Sequence, residues 1–137
     1  MQNPFKKGDI KTFSKIVLIT EIAKFESGTV HDVYSTFSIA KDAEWSGRLF
    51  VLEMKEKDEE GIGTKISVEH KSPAFVGDEI NFIATFEEIT ERGEIITSFQ
   101  AFCGDRLIAK GIQGQRILLK TVIDEKFQEL NSNIQNK

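Results

Sequence analysis

Residues 36 to 54 are the stretch that most limits how this chain can fold. Projected at about 100° per residue, Ile39, Ala40, Ala43, Gly47, Phe50, Val51 and Met54 fall in one stripe, with Lys41, Asp42, Arg48 and Glu53 away from it. That is the pattern of a helix laid on a core. Trp45, Leu49 and Leu52 form a second apolar patch on the opposite side. A helix that is apolar on two sides has to be covered on both, so the spacing predicts a long central helix wrapped by sheet.

The flanking segments supply the sheet. Ile16 to Phe25 is rich in β-branched residues with little polar alternation, and reads as a strand buried on both faces. Gly28 to Ser35 mixes Gly, Thr, His, Asp and Tyr without a period and reads as a loop. The charged run Lys55 to Glu60 reads as a solvated helix end and is given no function. From Gly61 the period becomes two, with Ile62, Ile66 and Val68 alternating with Gly63, Lys65, Ser67 and Glu69, as a half-buried strand requires. A turn at 72–78, carrying Pro73 and Gly77, ends it. Residues 79–89, 95–103 and 107–119 then predict three strands of an antiparallel meander, joined by turns at 91–93 and 104–106. Residues 122–130 predict a short last helix, and 131–137 a frayed tail. Strand, helix and four further strands make an α+β fold with the helix packed on one antiparallel sheet.

Composition narrows the function classes. At 137 residues and 39% hydrophobic, the chain is expected to form one domain over 1–137, with 1–10 and 131–137 loosely ordered. A net charge of -4 argues against a surface built to neutralise nucleic-acid phosphates. No apolar run approaches the ~18 residues of a membrane span, and Met1 to Ile10 lacks the apolar stretch of a signal peptide, so the expected address is the cytoplasm. One Cys permits no internal disulfide, and Cys103 reads as a small buried hydrophobe. Two His and one Cys give no zinc-site spacing. Gly61-Ile-Gly63 opens a strand instead of a helix and so is no dinucleotide fingerprint.

Three residues could carry chemistry. His70 falls on the same strand face as Ile62, Ile66 and Val68, where an imidazole is either a core group satisfied by a carbonyl or a general acid and base. Glu44 projects at the shoulder of the helix stripe, about 20° from Val51. It is either a carboxylate that snorkels to solvent or a partly buried base or nucleophile. Thr36, with Ser35 beside it, stands where the helix begins. It reads as an N-cap, at a position whose free N–H groups can also hold an oxyanion or an acyl carbonyl. His31 and Asp32 lie in the predicted loop and read as solvent-facing.

The spacing of these three residues resembles that of a known family. A Thr, a Glu eight residues later on the central helix and a His on the following strand, here Thr36, Glu44 and His70, resemble the fluoroacetyl-CoA thioesterase family within the hotdog-fold thioesterases. Gly63-Thr64, the Ser72 to Asp78 stretch after His70, and Leu107 to Gly111 leading into the last strand agree with it, and the likeness spans about residues 30 to 127. Two places depart from the family pattern. Phe37 stands where the family commonly has a small residue or Pro. The last strand reads Gly111-Ile-Gln-Gly-Gln-Arg116 where the family often has Gly-Thr-His-x-Arg, so Arg116 is not given the family's arginine role.

The resemblance implies a hotdog fold, with the sheet wrapped around the helix and two copies pairing with active sites at their interface. It implies hydrolysis of an acyl-CoA, with Glu44 as nucleophile or as the base for water, His70 moving the proton and Thr36 orienting the Glu or contacting the oxyanion. Gly63, Thr64 and Phe37 would bound the acyl and oxyanion positions. No metal or redox cofactor is implied, coenzyme A entering only as part of the substrate, and neither nucleic acid nor membrane is an implied partner. Lys65, Lys71 and Arg92 are cations near enough in sequence to meet its phosphates but are not assigned to them. The rival reading is a hotdog protein that binds an acyl-CoA or other small ligand without turning it over. A binding pocket has no need for a carboxylate and an imidazole facing one cavity, so Glu44 and His70 far apart or aimed at different spaces would count against the enzyme reading.

Overall fold

The computed structural model describes residues 1–25 and 27–135. Helix α1 runs Thr36–Met54, as its periodicity predicts, and buries Ile39, Ala43, Gly47, Phe50, Val51 and Met54 of the stripe. The meander is also as expected. Strands β6 (Glu79–Ile89), β7 (Glu94–Cys103) and β8 (Arg106–Leu119) pair antiparallel in sequence order, with Ala84 opposite Phe99 and Phe99 opposite Gly111. Their turns close through Gly93 and Gly104, both in the left-handed region that an L side chain resists. Strand β4 (Glu59–Ile66) lies on the other side of β8, and β5 (Glu69–His70) continues that pairing with His70 opposite Ala109. At the far edge β1 (Ile10–Ile16) pairs with β6, giving the sheet order β1-β6-β7-β8-β4.

The core forms between the inner face of this sheet and α1. Ile39 and Ala43 pack with Phe82, Phe99 and Ile108, and further along Phe50, Val51 and Met54 pack with Ala84, Phe86 and Ile95. Each fully buried aliphatic or aromatic side chain contributes about 1.5–3 kcal/mol, so the helix is held by burial and not by its own propensity.

Several expectations need correcting. The segment 16–25 is not one doubly buried strand. A strand ends at Ile16, a single 3-10 turn occupies Ile19–Glu21, and β2 is only Ile22–Phe25. The break arises because the Glu21 carboxylate turns back to accept the Leu18 N–H at 2.9 Å and joins Lys15. The stretch read as a loop is strand β3 (Gly28–Tyr34), which pairs with β2 in a separate hairpin. The entry segment also has defined partners, since the Gln2 N–H donates to the Met54 carbonyl at 2.8 Å and the Phe5 ring meets Phe50 edge-on at 4.9 Å. Helix α2 spans Lys120–Gln135, longer than the predicted 122–130 and running through most of the expected tail, whose residues 136 and 137 lie outside the described residues.

Among the described residues the second apolar side of α1 is only partly covered, with Leu49 half-buried. Trp45 is 44% exposed and Leu52 41%. Asp42, expected away from the core, is buried. Gly47 is required by a close approach: a Cβ there would overlap the amide of Gln113, which cannot swing aside because it is buried and hydrogen-bonded. Alanine ordinarily favours a helix interior by about 1 kcal/mol over glycine. Here overpacking outweighs that gain, and Gly47→Ala is expected to destabilise by about 1–3 kcal/mol. Urea unfolding measures this as a lower midpoint, and an unchanged or raised midpoint would contradict the packing.

Candidate active site

The start of α1 is fixed by three consecutive residues. The Tyr34 N–H donates to the Ala74 carbonyl and the Ser35 N–H to the Glu21 carbonyl, both at 2.9 Å. Ser35, not Thr36, is the N-cap: its hydroxyl accepts the Ser38 N–H at 3.2 Å. The Thr36 hydroxyl is thereby free for another partner, and its Oγ1 is hydrogen-bonded to His70 Nε2 at 2.8 Å. His70 is held at the end of β5, where the following Lys71 N–H donates to the Ile108 carbonyl at 2.8 Å. His70 is exposed, not half-buried as its strand phase suggests, and the phase counted from Ile62 is broken within β4, where the pairing with β8 shifts register between Gly63 and Lys65. The pair opens on a cavity of about 380 Å³ whose walls include Tyr34, Ile39 and Ala74. His31, exposed on β3, also lines it, so the expectation that it simply faces solvent is incomplete.

Behind the start of α1 lies a charged cluster that sequence reading did not find. The Lys15 ammonium donates to Asp42 Oδ2 at 2.9 Å and to the Glu21 carboxylate, while the Tyr34 hydroxyl donates to the same Asp42 oxygen. Burial alone would lower the Lys15 pKa, but hydrogen bonds and charge from Glu21 and Asp42 more than offset it, and the net direction is up from 10.5. Burial pushes the Tyr34 phenol well above its ordinary range, and the bond to Asp42 adds to that. These side chains tie β1, the 3-10 turn, β3 and α1 together directly behind Thr36.

Glu44 faces a different space. It lies eight residues along α1 from Thr36, about 12 Å at 1.5 Å per residue. Its carboxylate rests on Gly63, where a Cβ would collide with it, which explains a glycine in the middle of β4. Phe37, Lys41, Gly63, Thr64 and Ile66 surround one side of this opening. The Thr64 hydroxyl is already donated to Glu94, so of the expected substrate contacts there it offers its backbone. Phe37 meets Phe25 edge-on at 6.3 Å. Arg48 and Lys65 are engaged elsewhere, with Glu60 at 2.7 Å and Glu94 at 3.6 Å. Within one chain the structure therefore joins Thr36 to His70, and Glu44 to Gly63, Thr64 and Phe37. It does not aim Glu44 and His70 at one space.

The comparisons with known proteins decide the family. The model of the fluoroacetyl-CoA-specific thioesterase family matches residues 17–121. The chain belongs to that family. A hypothetical protein of Thermus thermophilus, described as a thioesterase superfamily member, superposes with a TM-score of 0.93 at 28% identity, covering 99% of this chain and 100% of the other. A hot-dog-like protein from Thermanaerovibrio acidaminovorans gives 0.83 at 16% identity over 91% and 92% of the two chains. The fluoroacetyl-CoA thioesterase FlK gives 0.82 at 17% identity over 91% and 96%. No curated protein sequence matches. This member of the fluoroacetyl-CoA-specific thioesterase family thus has the hotdog fold and is a thioester hydrolase acting on acyl-CoA. No helix among its described residues is long and apolar enough to cross a membrane.

Proposed function

We propose that acyl-CoA hydrolysis takes place at the interface of two copies, where Thr36 and His70 of one meet Glu44 of the other. The observation that carries this reading is the division of the site: one chain binds Thr36 to His70 but turns its Glu44 to a separate opening about 12 Å along the helix. Strand β4 is an edge of the sheet, and beside it Ile66 is 42% exposed and Trp45 44%. An unpaired edge flanked by apolar side chains is a surface that a second sheet covers. The partly covered side of α1 is then part of the same interface.

In that arrangement the thioester carbonyl lies at the start of α1, where the N–H groups of Thr36 and Phe37 precede the capped Ser38 and stabilise the oxyanion. Glu44 either takes a proton from the attacking water or attacks as a carboxylate. His70, oriented by Thr36, returns a proton to the departing coenzyme A sulfur. Thioester hydrolysis by these groups calls for no metal or redox cofactor.

A thiol-release assay over acyl-CoAs from acetyl to long-chain, run beside sedimentation of the same sample, tests the reading. Turnover is expected for short acyl groups, from a dimer. Ile66→Lys on the edge is expected to yield monomers and to lower turnover at least about tenfold, since it places a charge where apolar contact is required. A fully active monomer would refute the shared site, and saturable binding without release from any thioester would favour the ligand-binding alternative.

A further inference from the structure

Gln113 and Gln115 project from β8 into the interior, 1% and 2% exposed, at positions where a core ordinarily has aliphatic side chains. Burying an amide costs free energy unless it is hydrogen-bonded, and these two are bonded in series. Gln113 Nε2 donates to the buried Thr97 hydroxyl. Gln115 Nε2 donates to Gln113 Oε1 at 3.0 Å and reaches the backbone carbonyl of Glu44 at a longer 3.5 Å. The series thus starts in β7, crosses β8 and ends on the peptide of one particular helix residue.

That residue carries an exposed carboxylate, and Gln115 forms a wall of a cavity of about 390 Å³ that it shares with Glu44, Gly61 and Gly63. A Cβ on Gly63 would collide with the Glu44 carboxylate, whereas one on Gly61 would meet Val51 Cγ1 at 2.7 Å first and Gln115 Oε1 at 3.1 Å next. Gly63 is therefore kept bare for Glu44, and Gly61 chiefly for Val51 with Gln115 close beside it. Arg116, one residue on, is exposed and takes no part.

We propose that Gln115 is a positioning residue for Glu44, with the Thr97–Gln113–Gln115 series tying the Glu44 turn of α1 to the sheet so that the carboxylate holds its aim. This rests on the reading of Glu44 as the reacting carboxylate. A series present only to fill the core would affect folding without favouring the Glu44 reaction.

The test is a double-mutant cycle in the thiol-release assay with acetyl-CoA, using Glu44→Gln, Gln115→Met and the pair, each checked by thermal unfolding. Methionine keeps the volume and removes the amide. Gln115→Met is expected to lower kcat on the order of tenfold with KM within about twofold, because a small misplacement of a reacting group is costly. It is expected to lower nothing further once Glu44 is Gln. Equal losses in both backgrounds, or an unchanged kcat, would overturn the proposal. Wild-type activity in Glu44→Gln itself would remove the role of Glu44, and with it anything for Gln115 to position. Should Gln115→Met fail to fold, Thr97→Val breaks the far end of the series at nearly constant volume. It is expected to give a smaller loss of kcat, again coupled to Glu44, and an additive loss there would equally overturn the proposal.

Discussion

Replacing Glu44 by Gln is expected to lower the rate of thiol release by about two to four orders of magnitude, and His70→Ala by about two, with thermal unfolding unchanged in both. Neither side chain is buried, so neither loss can be ascribed to the core. The amide of Gln has the shape of the carboxylate but can neither take a proton from water nor attack a thioester, so this one variant blocks both routes open to Glu44. A single turnover in 18O-labelled water separates the routes in the native enzyme. Direct attack by water places the label in the released acid alone, whereas attack by the carboxylate, followed by hydrolysis at the Glu44 carbonyl of the anhydride, places it in Glu44. Mixing Glu44→Gln with His70→Ala adds a further consequence of a shared site. Hybrid dimers regain one complete site in two, so activity rises on mixing and exchange toward about a quarter of the native value, if half of the dimers are hybrids. Two inactive variants that stay inactive after exchange would place all three groups in one chain's site.

The parts of the fold legible in the sequence were those in which one period persisted. The stripe of α1 and the alternation of β6 and β7 each bury one face continuously, and such a face leaves a period that survives without structural information. The amino-terminal third was misread because its apolar residues serve three short elements, with Val17 and Ile22 buried while Leu18 and Ile19 are exposed. Apolarity without a stable period cannot distinguish that from a doubly buried strand. Thr36, Glu44 and His70 stand out by their spacing, yet spacing along one chain does not say that Thr36 bonds to His70 while Glu44 rests on Gly63 at another opening. The buried polar residues were missed for a related reason. Asp42 looks solvated on the helix projection, and its partners Lys15 and Tyr34, with the Glu21 carboxylate that shares Lys15, come from other elements. Gln113 and Gln115 did leave a signal, as two amides spaced to lie on one strand face, inward like Ile95 and Phe99 across the sheet.

Removing the cation from the cluster behind Thr36 has the largest expected effect on stability. Lys15→Met leaves Glu21 and Asp42 buried together without an ammonium between them. Breaking a buried charge cluster by deleting one partner costs about 3–5 kcal/mol, much of it the penalty for the charge left behind. A domain of this size has only about 5–15 kcal/mol to lose. The same cluster dictates how the native protein responds to alkali. Lys15 has its folded pKa raised above 10.5, and Tyr34 has its own raised above 10. For either group the folded state keeps its proton at a pH where the unfolded chain has released it. The stabilisation is therefore complete below about pH 10 and is lost as the pH rises toward the folded values. Native stability is expected to fall above that pH. The difference between native and Lys15→Met is expected to stay constant from pH 7 to 10, then narrow as the native ammonium is neutralised. Urea unfolding at a series of pH values measures both. A Lys15→Met protein within about 1 kcal/mol of native at pH 7, the range of an exposed ion pair, would mean that water reaches the cluster and that it does not fasten α1 to the hairpin.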